Sequence, residues 1–172
     1  MKIVLLGYMG SGKSTIGRLL SEKMNYHFID LDAYIEEKEG LSIQEIFSTK
    51  GEIYFRLQES NYLKEVLDLN SDIVLSLGGG TPCYANNMQT ILATKEIRSI
   101  YLKATIPVLL DRLKGGKEQR PLIADLSEEK LMEYIGKHLF ERAPFYEQST
   151  TKILIGTKTK EEQVSEIIAG LH

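Results

Sequence analysis

Gly7-Tyr8-Met9-Gly10-Ser11-Gly12-Lys13-Ser14-Thr15 fits the phosphate-loop pattern G-x-x-x-x-G-K-[ST], and its flanks decide which fold carries it. Before it, Lys2-Ile3-Val4-Leu5-Leu6 reads as a short buried strand; after it, Ile16, Leu19, Leu20 and Lys23 give a helical stripe. Strand, glycine loop and helix thus follow in the order that a phosphate-binding turn needs. The loop's glycines open backbone angles closed to other residues, so successive N–H groups can turn onto phosphate oxygens at a helix N-terminus. Lys13 adds a mobile positive charge for the β and γ phosphates, and the Ser14 hydroxyl is a hard oxygen suited to magnesium. Gly10, Ser11, Gly12, Lys13, Ser14 and Thr15 are therefore the expected contacts of a bound nucleotide.

The bulk of the chain sets limits on the rest. With 172 residues and 42% hydrophobic content, residues 1–172 are expected to form one well-buried domain. The net charge is −3, with acids and bases interleaved, so no polyanion-binding surface and no nucleic-acid partner is expected. A single cysteine, Cys83, excludes an internal disulfide and fits a reducing compartment. No apolar run approaches the length of a membrane span, and the apolar N-terminus is too short for a signal peptide and leads directly into the phosphate loop. The expectation is a cytoplasmic monomer with no membrane association.

Beyond the first helix, which fades near Asn25, His27-Phe28-Ile29 reads as a second strand ending at Asp30-Leu31-Asp32, where acids lie on the ligand side of a parallel sheet. Ser42-Ile43-Gln44-Glu45 reads as a capping box opening a short helix with Ile43, Ile46 and Phe47 inward; Gly51 breaks it, and a longer helix covers Glu52 to Leu67. Ile73 to Leu77 is a continuous apolar strand, as in parallel sheets, followed by Gly78-Gly79-Gly80. A helix around Asn86 to Ala93, a strand over Ile97 to Leu102 and a helix from Pro107 to Leu113 come next. Lys114 to Pro121, polar and glycine-paired, reads as a mobile loop. Ser127 starts a helix with the stripe Leu131, Met132, Ile135 and Leu139, ending near Arg142-Ala143-Pro144. Lys152 to Ile155 is a last strand, and Thr159-Lys160-Glu161-Glu162 caps a closing helix carrying Val164, Ile167, Ile168 and Leu171. Strands alternating with helices predict an α/β fold, a parallel sheet covered on both faces with its ligand groups above the strands' C-terminal ends.

The phosphate loop, Asp30-Leu31-Asp32, Ser42-Ile43, Gly51-Glu52 with Phe55-Arg56, Ser76-Leu77-Gly78-Gly79-Gly80, Arg120-Pro121-Leu122 and Arg142-Ala143-Pro144-Phe145-Tyr146 together resemble the shikimate kinase family over nearly the whole chain. The resemblance implies a three-layer P-loop kinase fold with a five-stranded parallel sheet in the order 2-3-1-4-5, a substrate-binding excursion over about 31–62 and a lid over about 113–125. It implies transfer of the γ-phosphoryl group of ATP to the 3-hydroxyl of shikimate, with Mg2+, on the route to chorismate and the aromatic amino acids. Carried over by position, Asp32, Arg56, Gly78, Gly79, Gly80 and Arg142 contact shikimate. Lys13 and Arg120 meet the transferring phosphate, Lys13, Asp32 and Arg120 carry the catalysis, Ser14 and Asp30 form the magnesium site, and Arg112 meets the adenine. After the triple glycine the chain reads Thr81-Pro82-Cys83, where many relatives have a small residue and valine, and the lid segment before Arg120 is slightly longer than in some members.

The residue types suit that chemistry. A hydroxylated carboxylic acid calls for guanidinium forks and an acceptor for its alcohols, which Arg56, Arg142 and Asp32 supply. Phosphoryl transfer asks mainly for in-line positioning and charge stabilisation, so Asp32 is expected to orient the attacking hydroxyl rather than remove its proton. Taken singly, several residues admit plainer roles: Asp30 and Asp32 as helix caps, Arg56, Arg112 and Arg120 as solvated cations, Arg142 as a partner of a helix C-terminus, the glycines as a tight turn. Cys83 reads as a small free thiol, Tyr34, Tyr54 and Tyr146 as core or rim, and His27, His138 and His172 lack metal-ligand spacing. Two other readings use the same loop: a kinase for another sugar acid such as gluconate, and a kinase-derived regulator that binds without turnover.

Overall fold

In a computed structural model, which describes residues 1–171, the apolar runs form five strands: β1 Lys2–Leu6, β2 His27–Asp30, β3 Ile73–Ser76, β4 Ile97–Lys103 and β5 Thr151–Leu154. All pair in parallel, in the order β2-β3-β1-β4-β5. Ile3 to Leu6 and Ile73 to Leu75 are fully buried, which is why these strands read as continuous apolar segments rather than alternating ones. The register places Ser76 opposite both Leu5 of β1 and Asp30 of β2, so the C-terminal ends of these three neighbouring strands open at one level.

The chain reverses its direction across the sheet after β2. Right-handed crossovers then put α1 (Lys13–Met24) on one face and the connections built from α2 (Leu31–Glu39), α3 (Ile43–Leu67), α4 (Asn87–Ala93), α5 (Ile106–Lys114) and α6 (Glu128–Tyr146) on the other. The closing α7 (Lys160–Ala169) packs against α1. Both expected capping boxes form, Ser42 with Glu45 and Thr159 with Glu162.

The break expected at Gly51 is present: its non-helical φ of 85° and ψ of 169° kink α3 into two helical stretches. Three other local readings need correction. Phe47 is not an inner-face residue; it lies partly exposed and packs on the Phe55 ring at 4.6 Å. Met132 is 47% exposed, because Leu131 and Ile135, four apart, already define the buried face. The helix expected to stop near Pro144 runs on to Tyr146, whose buried side chain pins the last turn to the glycine run. Within the segment Lys114 to Pro121 expected as a loop, Lys117–Gln119 is a 3₁₀ turn, with the Lys117 ammonium donating to the Leu126 carbonyl at 2.7 Å. No helix among the described residues is long and apolar enough to cross a membrane.

Candidate active site

The phosphate loop leaves β1 at Gly7, with φ 149°. A side chain there would bring a Cβ within 2.8 Å of the Leu102 carbonyl of β4, so the loop can turn this close to the sheet only without one. At its far end Gly12, left-handed at φ 92°, is the N-cap of α1 and offers no side-chain cap, which leaves the helix's first-turn N–H groups open to an anion. Lys13 lies folded back on the loop, its ammonium donating to the carbonyls of Gly7 at 2.8 Å and Tyr8 at 3.1 Å. Burial lowers its pKa to about 8, opposed by the nearby Asp32 and Asp30 carboxylates and reinforced by Arg142 and Arg120.

Asp30 serves two elements at once. Its Oδ1 caps α2, accepting from the N–H groups of Asp32 and Ala33, while its Oδ2 accepts from the Ser14 hydroxyl at 2.7 Å. The plainer role, a helix cap, and the phosphate-loop contact are therefore both occupied. Asp32 is free of the cap. Its carboxyl is pushed up to about 6, first by burial and then by Asp30 and Glu59, with Lys13 pulling the other way.

The glycine run after β3 is where the separate parts meet. An added Cβ at Gly78 would stand 3.0 Å from the Asp32 carboxylate, at Gly79 3.1 Å from Nη1 of Arg142, and at Gly80 2.8 Å from Nη2 of Arg56. Three consecutive residues without side chains thus seat three charged groups from α2, α6 and α3. Arg142 also lies 5.8 Å from the Tyr8 ring centroid, and Arg56 4.0 Å from that of Tyr84. The Tyr146 hydroxyl donates to the Gly79 carbonyl and holds the run in place.

A cleft of about 450 Å³ joins these groups. Gly10, Gly12, Lys13, Ser14, Thr15, Asp30, Asp32, Gly78, Gly79, Arg112 and Arg120 all line it, so most of the expected site residues face one space. Arg112 is an exposed residue whose Nη1 donates to the Gly10 carbonyl at 3.2 Å. Ser11 differs from its neighbours: it is buried, its hydroxyl has no partner among the described residues, and it faces a side pocket shared with Arg112, Lys160 and Gln163. Arg56, Gly80 and Arg142 lie around the glycine run without lining the main cleft.

Several contributors escaped the sequence reading. Glu59, 1% exposed, pairs with Nη1 of Arg56 at 2.8 Å; the i, i+3 spacing of these two on one helix was the available signal. The Tyr8 hydroxyl meets Nδ1 of His138 at 3.3 Å and so ties the phosphate loop to α6, a contact across 130 residues with no local signature. Tyr34 and Tyr54 bond to Glu65 and Glu39 and brace α2 against α3; His172 lies outside the described residues. Cys83 sits half-buried beside Arg142 and Arg56, and burial pushes its thiol up to about 11, an unreactive state.

Sheet order, phosphate loop and an acid-and-guanidinium pocket above the same strand ends define a phosphotransferase of the P-loop kinase class. A family model described as Shikimate kinase matches residues 9–172. A shikimate kinase of Flavobacterium johnsoniae is 48% identical over 167 residues, 97% of this chain and 96% of that protein. The crystal structure of a shikimate kinase from Bacteroides thetaiotaomicron superposes with a TM-score of 0.92 at 36% identity, covering 99% of this chain and 98% of that one. One from Acinetobacter baumannii, in complex with shikimate, superposes with a TM-score of 0.87 at 30% identity, covering 99% and 92%. The chain belongs to the shikimate kinase family.

Proposed function

We infer that the protein transfers the γ-phosphoryl group of ATP to the 3-hydroxyl of shikimate, giving shikimate 3-phosphate and ADP for aromatic amino acid biosynthesis. The observation that carries this reading is the seating of Asp32, Arg142 and Arg56 on Gly78, Gly79 and Gly80, next to the cleft that the phosphate loop lines. Two guanidiniums answer the substrate's carboxylate and one acceptor answers its hydroxyls. The phosphate-loop amides hold the nucleotide.

In this scheme the 3-hydroxyl oxygen attacks the γ-phosphorus while the bond to the bridging oxygen of ADP breaks; the hydroxyl proton leaves late, to water, so little base assistance is needed. Asp32 orients the hydroxyl by accepting its hydrogen bond, which its ionised form can do at neutral pH. Lys13 leaves the Gly7 and Tyr8 carbonyls to meet the β and γ phosphates. Arg120, exposed on the segment 113–125, comes down with that segment as a lid onto the transferring group, and the excursion 31–62 supplies Asp32 and Arg56. Arg112 stacks on the adenine.

A hydroxyl and a carboxylate 2.7 Å apart at Ser14 and Asp30 are hard oxygens that fit Mg2+. Ser14 and Asp30 would hold the ion from the protein side, and the chemistry it would supply is positive charge to offset that of the phosphates. One chain supplies both ends of the cleft, which suits a monomer, and the lone free thiol suits the cytoplasm.

The test is ADP release, coupled to NADH oxidation, with shikimate or gluconate as acceptor. Turnover with shikimate and none with gluconate is the expected result. Turnover of gluconate alone would assign the site to another sugar acid, and binding of both substrates without turnover would favour the kinase-derived regulator.

A further inference from the structure

Arg56 cannot choose its own orientation, because the group it leans on is itself held from elsewhere. Glu59 is buried, and each of its carboxylate oxygens has one donor: Oε1 takes Nη1 of Arg56 and Oε2 takes the Thr81 hydroxyl, both at 2.8 Å. Thr81 is fully buried directly after the glycine run. Its N–H donates to the Gly78 carbonyl at 3.1 Å, and its own carbonyl accepts from the buried Asn87 amide of α4 at 2.9 Å.

We propose that Thr81 is a positioning residue for substrate binding: through Glu59, its hydroxyl fixes the Arg56 fork in the orientation that receives the substrate's carboxylate. This rests on the reading of Arg56 as an acid-binding group. With Nη1 engaged by Glu59, the remaining edge of the guanidinium is Nε with Nη2, the side-on edge through which a carboxylate takes two parallel hydrogen bonds. Nε is buried and has no partner among the described residues, and Nη2 lies over Gly80. A donor left unpaired in a buried position costs free energy until a ligand meets it.

The dependence on Thr81 follows from the same physics. A buried carboxylate with one donor per oxygen cannot lose a donor and keep its place. Without the hydroxyl, Glu59 turns to a different donor, and that turn releases Nη1 of Arg56. The guanidinium then samples orientations that present the wrong edge.

The experiment compares Thr81→Ser with Thr81→Ala, which differ only in the hydroxyl, and with the near-isosteric Thr81→Val. Shikimate Kd is measured by calorimetry, and KM values and kcat come from the coupled assay. Val and Ala should raise shikimate Kd and KM about tenfold, the scale of a lost hydrogen bond to a charged group, leaving kcat and ATP KM within about threefold. Ser should stay within about threefold of the parent protein. Arg56→Ala, run alongside, separates the two levels of the argument. If it weakens shikimate while Val and Ala do not, or if Ser loses as much as Ala, Thr81 has no positioning role. If Arg56→Ala itself leaves shikimate Kd unchanged, Arg56 is not the acid fork and both readings fall.

Discussion

At the nucleotide end of the cleft the anion-facing groups are main-chain amides fixed by nine consecutive residues, Gly7 to Thr15. At the glycine run the converging groups are side chains from α2, α3 and α6, an acid and two guanidiniums, brought together across 110 positions of sequence between Asp32 and Arg142. The first end is made by backbone conformation, the second by convergence of long side chains on residues that have none. Substitutions should therefore act differently at the two ends. Removing a side chain should cost little where the backbone binds, the proposed catalytic and ion-holding groups Lys13, Arg120, Ser14 and Asp30 excepted, and much where side chains bind.

Lys13 is the largest exception, because in the proposed scheme its charge must move. It rests on the Gly7 and Tyr8 carbonyls, and the scheme has it leave them for the phosphates. Lys13→Ala is expected to lower kcat on the order of 10³-fold, as for loss of a principal charge-stabilising donor. Single-turnover phosphoryl transfer measures it, and a loss below about tenfold would take Lys13 out of the chemistry.

At the assembled end, Arg142→Ala should weaken shikimate binding by roughly 10–100-fold, the scale of a charge-assisted hydrogen bond, with ATP Kd within about threefold. Calorimetry with each ligand distinguishes this from a general loss of structure. Gly80→Ala probes the same end without deleting any functional group. Gly80 has ordinary helical angles, φ −88° and ψ −17°, so alanine is not strained there, yet its Cβ would fall 2.8 Å from Nη2 of Arg56. The displaced guanidinium should raise shikimate Kd about tenfold, with the thermal midpoint nearly unchanged. An unchanged Kd would mean that Arg56 need not lie against the glycine run.

The two ends meet in their pH dependence. In the proposed scheme Asp32, raised to about 6, orients the hydroxyl in its ionised form, the stronger acceptor, so activity should fall as pH drops through that value. Lys13, lowered to about 8, must be charged, so activity also falls as pH rises through its own. The profile of kcat/KM in the free enzyme should be a bell between about 6 and 8, with a decline of about tenfold per pH unit on the acid side. Asp32→Asn should abolish the acid limb while lowering the plateau; retention of that limb would assign it to another group.

The same division explains what could be read from the sequence. The phosphate loop and the five strands were legible because contiguous residues determine them: glycine spacing for the first, unbroken apolar runs for the others. Each strand was placed to within a residue or so. The glycine run was visible as a turn, but its three occupants were legible only through resemblance to a family, since nothing local in Arg56 or Arg142 says where its side chain points. Glu59 and Thr81, 22 residues apart, carry no signal beyond their spacing from Arg56 and Gly80. Pro144 misled because proline normally ends a helix. Here α6 continues, since the lost N–H would have paired with the carbonyl of Phe140, an 84% exposed residue, while Tyr146 is anchored below.

Arg112 is the sharpest small test of the contrast, because it is the one long side chain at the backbone-built end that lacks a catalytic task. Among the described residues its hydrogen bond runs to a main-chain carbonyl, Gly10, and the residue is exposed, so water competes for it. A neutral acceptor in high dielectric and a solvated guanidinium together limit what stacking on a base can add. Arg112→Ala should therefore raise ATP KM only about threefold to tenfold and leave shikimate Kd and kcat close to those of the parent protein. Were ATP KM to rise as far as shikimate Kd rises in Arg142→Ala, nucleotide binding would depend on side chains as heavily as acid binding does. The distinction between a backbone-built and a side-chain-built end would then fail where it is easiest to measure.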